Sequence, residues 1–327
     1  MNMIITKTPY RISFFGGGSD YPNWYNYYPG KVISTTINKG VYISCRELPN
    51  FFKKHKFRIC YSKTEEVLSV NQIKHKVFRE VLKYLKLKLG LEIHYDGELP
   101  ARSGMGSSSS VVVGLLNALY CLQNKDNNKK KLAKDSIFFE QKILKETVGI
   151  QDQIAASYGG FNIIKFNKEN FSVNNLQKRE KFLKNLENNL LLVYTGITRD
   201  AQMIASTYAN NLRYGFKNNI QNLLEITNEA EKVLYNGICD DFGKLLNESW
   251  VLKKSLSKKV SNNKINEIYD LFIKNGALGG KMLGAGGGGF MLFYVKPNIK
   301  KKILKKLKNL VVVPFKFDNF GSKIISS

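Results

Sequence analysis

Residues 99–120 read LPARSGMGSSSSVVVGLLNALY. Two glycines and five serines stand directly before an apolar stretch in which Val111, Leu115, Leu119 and Leu122 recur at helical spacing. The serines occupy the place of an N-cap and first turn. There the backbone N–H groups lack intrahelical partners and the helix dipole is positive. Glycines, having no Cβ, let a ligand approach the backbone closely. The combination makes an anion site, most often for phosphate. A plain serine cap on a core helix has the same composition, so other segments must decide between the two.

The chain has 327 residues, enough for two modest domains, and 43% of them are hydrophobic, enough for real cores. No stretch reads as a signal peptide. The longest apolar run, near residues 111–122, is too short for a bilayer and is interrupted by Gly114 and Asn117. Cys45, Cys60, Cys121 and Cys239 are scattered without a CxxC pair, which points to reduced thiols and a cytoplasmic protein. Three histidines leave little material for a metal cluster or a Ser-His-Asp triad. The formal charge of +25 invites a nucleic-acid reading, but only eight of the 51 basic residues are arginine, the usual reader of bases and phosphates. The run KKKILKKLKNL (300–310) places Ile303, Leu304, Leu307 and Leu310 on one face and reads as an amphipathic helix with a solvated lysine face. The expected partners are therefore small anions, steered by the positive charge, with no nucleic acid and no membrane.

The first third reads as strands, in MIITKTPYRISFF, GKVISTTINKGVYISCREL, HKFRICYS and LEIHYDGEL, with a helix in NQIKHKVFREVLKYLKL. Helices follow at about 108–123 and 130–146, then strands in GGFNIIKF and NLLLVYTG, a helical stretch from 200 to 275, and a glycine loop feeding the strand FMLFYV. Strands and helices mix without βα alternation, so the expected class is α+β. The polar, poorly patterned NFSVNNLQKREKFLKNLENN places the domain boundary near 185, giving domains 1–185 and 186–327.

Standard phosphate motifs do not fit. GALGGKML has the wrong spacing for a Walker A loop, and Met282 replaces the hydroxyl that would hold magnesium. GAGGGG (284–289) matches GxGxxG but precedes a strand rather than opening a helix, so the dinucleotide reading fails. HRD, DFG and GxSxG are absent. Three glycine-rich elements remain: YRISFFGGGSDY (10–21), the central loop, and GAGGGG. Together and in this order they resemble the GHMP kinase family (galactokinase, homoserine kinase, mevalonate kinase, phosphomevalonate kinase). The departures are Met105 for the usual leucine and Ser109 for the usual alanine. FFGGGSDY and GIQDQIAASYGGFN are most similar to the bacterial sugar-1-kinases acting on D-glycero-D-manno-heptose 7-phosphate.

The resemblance implies an N-terminal ribosomal-protein-S5-like domain and a C-terminal ferredoxin-like domain, with ATP and Mg2+ as cofactors. It implies that Gly104, Met105, Gly106, Ser107, Ser108 and Ser109 wrap the ATP phosphates. Ser108 and Glu140 are the implied magnesium ligands, although Glu140 also fits a helix-surface glutamate. Asp152 in GIQDQ is the implied base for the acceptor hydroxyl, with a helix N-cap as its alternative. Arg11 would hold Asp152 ionised and offset developing charge, or be a surface arginine on a strand. Asp20 matches a sugar-binding position, or serves a turn. Gly17 and Gly18 stand where galactokinase has bulky polar residues, which makes room for a larger sugar. Gly284, Gly286 and Gly287 are expected to let the backbone pass close to nucleotide and substrate. A phosphate on the substrate would be anchored by Arg199, or by Lys39 or Arg102; Arg199 equally fits a cap or an interdomain ion pair. The implied reaction is ATP-dependent phosphorylation of the anomeric hydroxyl of heptose 7-phosphate, by a monomer or homodimer. The alternatives are a kinase for an unphosphorylated fucose- or galactose-type sugar, or a non-catalytic sugar sensor. A complete Ser108, Glu140 and Asp152 set argues against a sensor.

Overall fold

The computed structural model describes residues 3–327 except 50, 88, 199–200, 238 and 308–309. The β-branched N-terminal third forms β1 (Ile4–Phe15), a short α1 (Pro22–Tyr25), β2 (Gly30–Glu47), β3 (Phe57–Cys60), β4 (Thr64–Val67), α2 (Lys76–Leu85) and β5 (Leu91–Gly97). Then come α3 (Ser107–Leu122), α4 (Lys129–Phe138), α5 (Gln151–Tyr158), β6 (Phe161–Phe166), β7 (Phe171–Asn175), α6 (Glu180–Asn189) and β8 (Leu190–Tyr194). The rest is α7 (Ala201–Ala209), α8 (Lys217–Asn236), α9 (Cys239–Lys254), α10 (Asn263–Lys274), β9 (Gly279–Met282), β10 (Phe290–Tyr294), α11 (Pro297–Lys306), β11 (Val311–Val313), β12 (Phe317–Asp318) and β13 (Lys323–Ser326). The mixture is α+β, as expected.

One sheet runs β13-β1-β2-β5-β3-β4, with β12 and β6 also paired to β2 and β7 paired to β6. The other runs β11-β8-β10-β9. The domain boundary needs a correction at its far end. The last strands, β12 and β13, pair with β2 and β1 and so belong to the first sheet, not to a second domain spanning 186–327. The short, partly polar SKIISS offers no pattern strong enough to announce this return. Position 185 itself falls inside α6, between β7 of the first sheet and β8 of the second.

Helix α3 is buried all round from Ser109 to Tyr120, which is why its sequence is apolar rather than amphipathic. It lies across β1 and β2. Gly114 permits this: a Cβ there would stand 2.7 Å from Thr8 Oγ1 and 3.4 Å from Ile43 Cδ1. A mid-helix glycine costs about 1 kcal/mol in propensity, and the close helix–sheet approach offsets it. One hydrophobic cluster draws on both sheets. Phe14 and Phe15 of β1 meet Phe242 of α9 edge-on, at 5.2 and 4.9 Å between ring centres. The lysine-rich α11 buries Ile303 and exposes most of its lysines. Among the described residues no helix is long and apolar enough to cross a membrane.

Candidate active site

Where the glycine loops of the two halves meet, a cavity of about 340 Å³ opens. Its centre is an ion pair. Arg11 donates from Nε to Asp152 Oδ1 at 2.7 Å and from a terminal nitrogen to Oδ2 at 2.6 Å. Its other terminal nitrogen donates to the Gly104 carbonyl at 2.7 Å. This parallel two-bond fork fixes the carboxylate's orientation. The β1–β2 register shifts between Pro9 and Arg11, where Pro9 has no N–H to give the ladder. Beyond the break, Arg11 and Ser13 both line the cavity.

The central loop is stitched on both sides. The Arg11 N–H donates to the Met105 carbonyl, and the Phe290 N–H to the Ser103 carbonyl. The expected serine cap is absent: α3 is capped by Gly106 at φ +74°, and no side chain caps its first turn. The serines are used elsewhere. Ser110 Oγ donates to the Pro9 carbonyl, and Ser109 Oγ to Glu140 Oε2 at 3.0 Å. Gly104, Gly106, Ser107, Ser108 and Ser109 line the cavity; Met105 is buried beneath it. Gly106 also carries a packing constraint, since a Cβ there would lie 3.2 Å from Arg11 Cγ and 3.4 Å from Asp152 Oδ2.

Glu140 lies under this loop, fully buried, in a single π-turn (Phe139–Ile143) that ends α4. Such turns are frequent at functional sites. Oε2 accepts from Ser109 and, at 2.6 Å, from Gln153 Nε2, while Oε1 has no hydrogen-bond partner among the described residues. Burial pushes the carboxyl up to about 8; Glu146 adds to the rise, and the bonds from Ser109 and Gln153 oppose it. A helix-surface glutamate would show none of this. The serine that touches Glu140 is Ser109, whereas Ser108 is exposed on the cavity wall.

At the other end of the cavity sits Asp20, also buried, accepting from the Gly18 N–H at 3.0 Å and from Gln151 Nε2 at 2.9 Å. Burial, and secondarily Asp152, raise its pKa. Gly149 makes space for it: a Cβ would fall 1.9 Å from Asp20 Oδ2. The two glycines before Asp20 differ. A side chain on Gly17 would point toward Gln151 and Ser13 with nothing closer than 3.7 Å, so its absence enlarges the cavity. Gly18 also lines the cavity; it has φ +106°, and a Cβ there would meet Ile220 Cδ1 of α8 at 2.9 Å. In GAGGGG, Gly284 lines the cavity. Gly286 and Gly287 pack against Val260 and against Ile204 and Lys259. Arg199 lies outside the described residues. Arg102 lines the cavity, while Lys39 does not and pairs with Glu98 at 3.0 Å.

Residues 71–160 match the GHMP kinases N terminal domain and residues 231–312 the GHMP kinases C terminal domain. The chain is 33% identical to the D-glycero-alpha-D-manno-heptose 7-phosphate kinase of Campylobacter jejuni, over 99% of each chain. The chain belongs to the GHMP kinases. GHMP kinases are ATP-dependent, and this chain is an enzyme of that kind. It is also 28% identical to a mevalonate kinase of Methanocaldococcus jannaschii over 83% of this chain and 80% of the relative. A heptose 1-phosphate kinase of Bacteroides thetaiotaomicron shares the fold, with a TM-score of 0.78 at 24% identity over 98% of this chain and 97% of that one. Within this GHMP kinase, Gln151, Gln153, Glu146, Lys253 and Lys281 are site residues that reading the sequence missed. The two glutamines flank Asp152 in GIQDQ, and only their neighbours in the fold reveal a role. Lys281 was hidden because GGKM reads as loop but forms β9.

Proposed function

We propose that this GHMP kinase phosphorylates the anomeric hydroxyl of D-glycero-D-manno-heptose 7-phosphate, giving the 1,7-bisphosphate in the cytoplasm. The observation that carries the reading is the single cavity in which the Arg11–Asp152 pair stands between the phosphate loop and the Asp20–Gln151 pair. ATP phosphates would lie at the first turn of α3, against backbone N–H groups. The sugar would lie over Gly17, with its hydroxyls on Asp20 and Gln151. The anomeric oxygen attacks the γ-phosphorus, its proton passes to an Asp152 oxygen, and the bond to the β-phosphate oxygen breaks to release ADP. Arg11 holds the Asp152 carboxylate in place through two hydrogen bonds and faces the developing charge.

The orphaned Oε1 of Glu140 is a test of whether a cation fits here. A fully buried carboxylate oxygen with no donor is costly by itself, and a hard divalent ion beside it removes the cost. Glu140 and Ser108 would hold magnesium, with Ser109 and Gln153 orienting the carboxylate. Magnesium bound there would neutralise phosphate charge during transfer.

The substrate reading is tested by ADP release with heptose 7-phosphate, the free heptose, mannose, fucose and galactose. The phosphorylated heptose is expected to win over the free heptose by at least about tenfold in kcat/KM, since a charge-assisted hydrogen bond is worth roughly ten- to a hundredfold in affinity. Equal efficiency on both would end the phosphate requirement. Gln151 gives a second prediction. A carboxylate only accepts, so the Gln151 amide nitrogen faces Asp20 and its oxygen, buried and unpaired, is left for a substrate hydroxyl. Gln151→Met is expected to raise KM for the sugar about tenfold with KM for ATP within about twofold. If the two KM values rise together, Gln151 supports the fold rather than the sugar.

A further inference from the structure

Strand β9 is held tightly from both sides. A Cβ on Gly279 would stand 2.0 Å from the Gly243 carbonyl of α9, and one on Gly280 would stand 2.3 Å from the Phe293 ring of β10. Between this close packing and the cavity, Lys281 crosses from the second sheet to the first. Its Nζ donates to the Phe14 carbonyl of β1, and it lines the cavity with Arg11, Ser13 and Gly17. The residue is only 4% exposed. Among the described residues no carboxylate pairs with it, and the charge that acts on it is another cation, Arg11. Asp152 already balances Arg11 through two hydrogen bonds. Lys281 is therefore a buried amine in the catalytic cavity with no carboxylate partner among the described residues.

Protonating an amine there without a counter-charge is costly even after relaxation. Packing does not explain it, since a methionine would fill the same volume without the charge. The amine already shows the strain of its place: burial, with Arg11 adding to it, pulls it down to about 7. What completes the site is an anion brought by a ligand.

We propose that Lys281 is a substrate-binding residue that, beside Arg11, forms a phosphate subsite in the cavity. The proposal rests on the kinase reading above. The phosphate has two sources: the γ-phosphoryl group in transfer, or the phosphate already carried by the sugar. In both, Lys281 Nζ gives a charge-assisted hydrogen bond to a phosphate oxygen.

The test compares the parent with Lys281→Met and Lys281→Arg. With the nucleotide loop filled by magnesium ADP, binding of inorganic phosphate is measured by calorimetry. The dissociation constant is expected to rise roughly ten- to a hundredfold in Lys281→Met and to stay near the parent's in Lys281→Arg. Phosphate binding in Lys281→Met equal to the parent's overturns the proposal. Repeating the titration with a non-hydrolysable ATP analogue separates the sources: phosphate that still binds to the parent belongs to the sugar's position, and phosphate that is excluded belongs to the γ-position. Kinetics give a parallel readout. A rise in KM for heptose 7-phosphate with none for the free heptose marks the sugar's phosphate, whereas an equal fall in kcat on both marks transfer. Lys281→Met loses a buried charge and is expected to melt no lower than the parent, so misfolding does not confound the measurement. A parent that turns over neither heptose would overturn the substrate reading alone, while phosphate binding would still judge Lys281.

Discussion

Asp152→Asn is expected to fold, to bind ATP like the parent, and to lose at least about a hundredfold in kcat, within the range that general-base removal produces. The substitution keeps the shape and one acceptor oxygen but removes the charge and turns the second oxygen into a donor facing a guanidinium nitrogen. Of the two bonds from Arg11 at 2.7 and 2.6 Å, one survives. Arg11 also keeps the Gly104 carbonyl at 2.7 Å, so the phosphate loop stays in place and the nucleotide site is preserved. Some stability is lost, since Arg11 is nearly buried and its partner charge is gone; the loss is moderated because the Asp152 side chain is 24% exposed. The measurements are single-turnover kinetics with saturating heptose 7-phosphate and calorimetry with an ATP analogue. Turnover within about threefold of the parent would remove Asp152 from the base role and leave the ion pair as scaffolding.

The parts of this site that could be read from the sequence are those where backbone geometry dictates residue type. Gly104 and Gly106 have φ of +83° and +74°, Gly284 and Gly286 of +65° and +106°, and only glycine adopts such values freely. Glycine clusters therefore survive in the sequence as visible landmarks, and the loops they form bring Arg11, Asp20 and Asp152 together. What stayed hidden depends on angles between neighbours. Ser107, Ser108 and Ser109 are consecutive, and a helix turns each by about 100°, so the one that meets Glu140 depends on where the helix starts. Its cap is Gly106 rather than a serine, and the hydroxyl on Glu140 belongs to Ser109. Lys281 stood in a stretch where glycine density suggested loop, yet Gly279 and Gly280 are there because α9 and β10 press on the strand. The return of β12 and β13 to the first sheet is a long-range pairing with little local signal, two and four residues long.

Glu140→Gln is expected to move stability and activity in opposite directions. The folded carboxyl sits at about 8 against an ordinary value of 4.5. Between those values the folded chain holds a proton that the unfolded chain has released. Stability of the metal-free protein therefore falls as pH rises through this window, and levels off above it. Glutamine has the same shape, keeps an oxygen for the donors from Ser109 and Gln153, and has no charge to bury. In chelator the variant should melt at about the parent's temperature near pH 5, and above it by an amount that grows until about pH 8. With magnesium and ATP, turnover should drop by at least about a hundredfold, because the buried Oε1, without a partner among the described residues, is the atom a cation would neutralise. Addition of magnesium ATP at high pH should raise the parent's melting temperature more than the variant's, since only the parent has a buried negative charge for the ion to offset. A glutamate buried for packing alone would show the same widening gap, because burial causes it, but neither the loss of turnover nor the larger magnesium-dependent rise in melting temperature. A variant that melts below the parent at pH 9, or keeps the parent's magnesium titration, would remove Glu140 from the metal site and leave its burial without a functional cause.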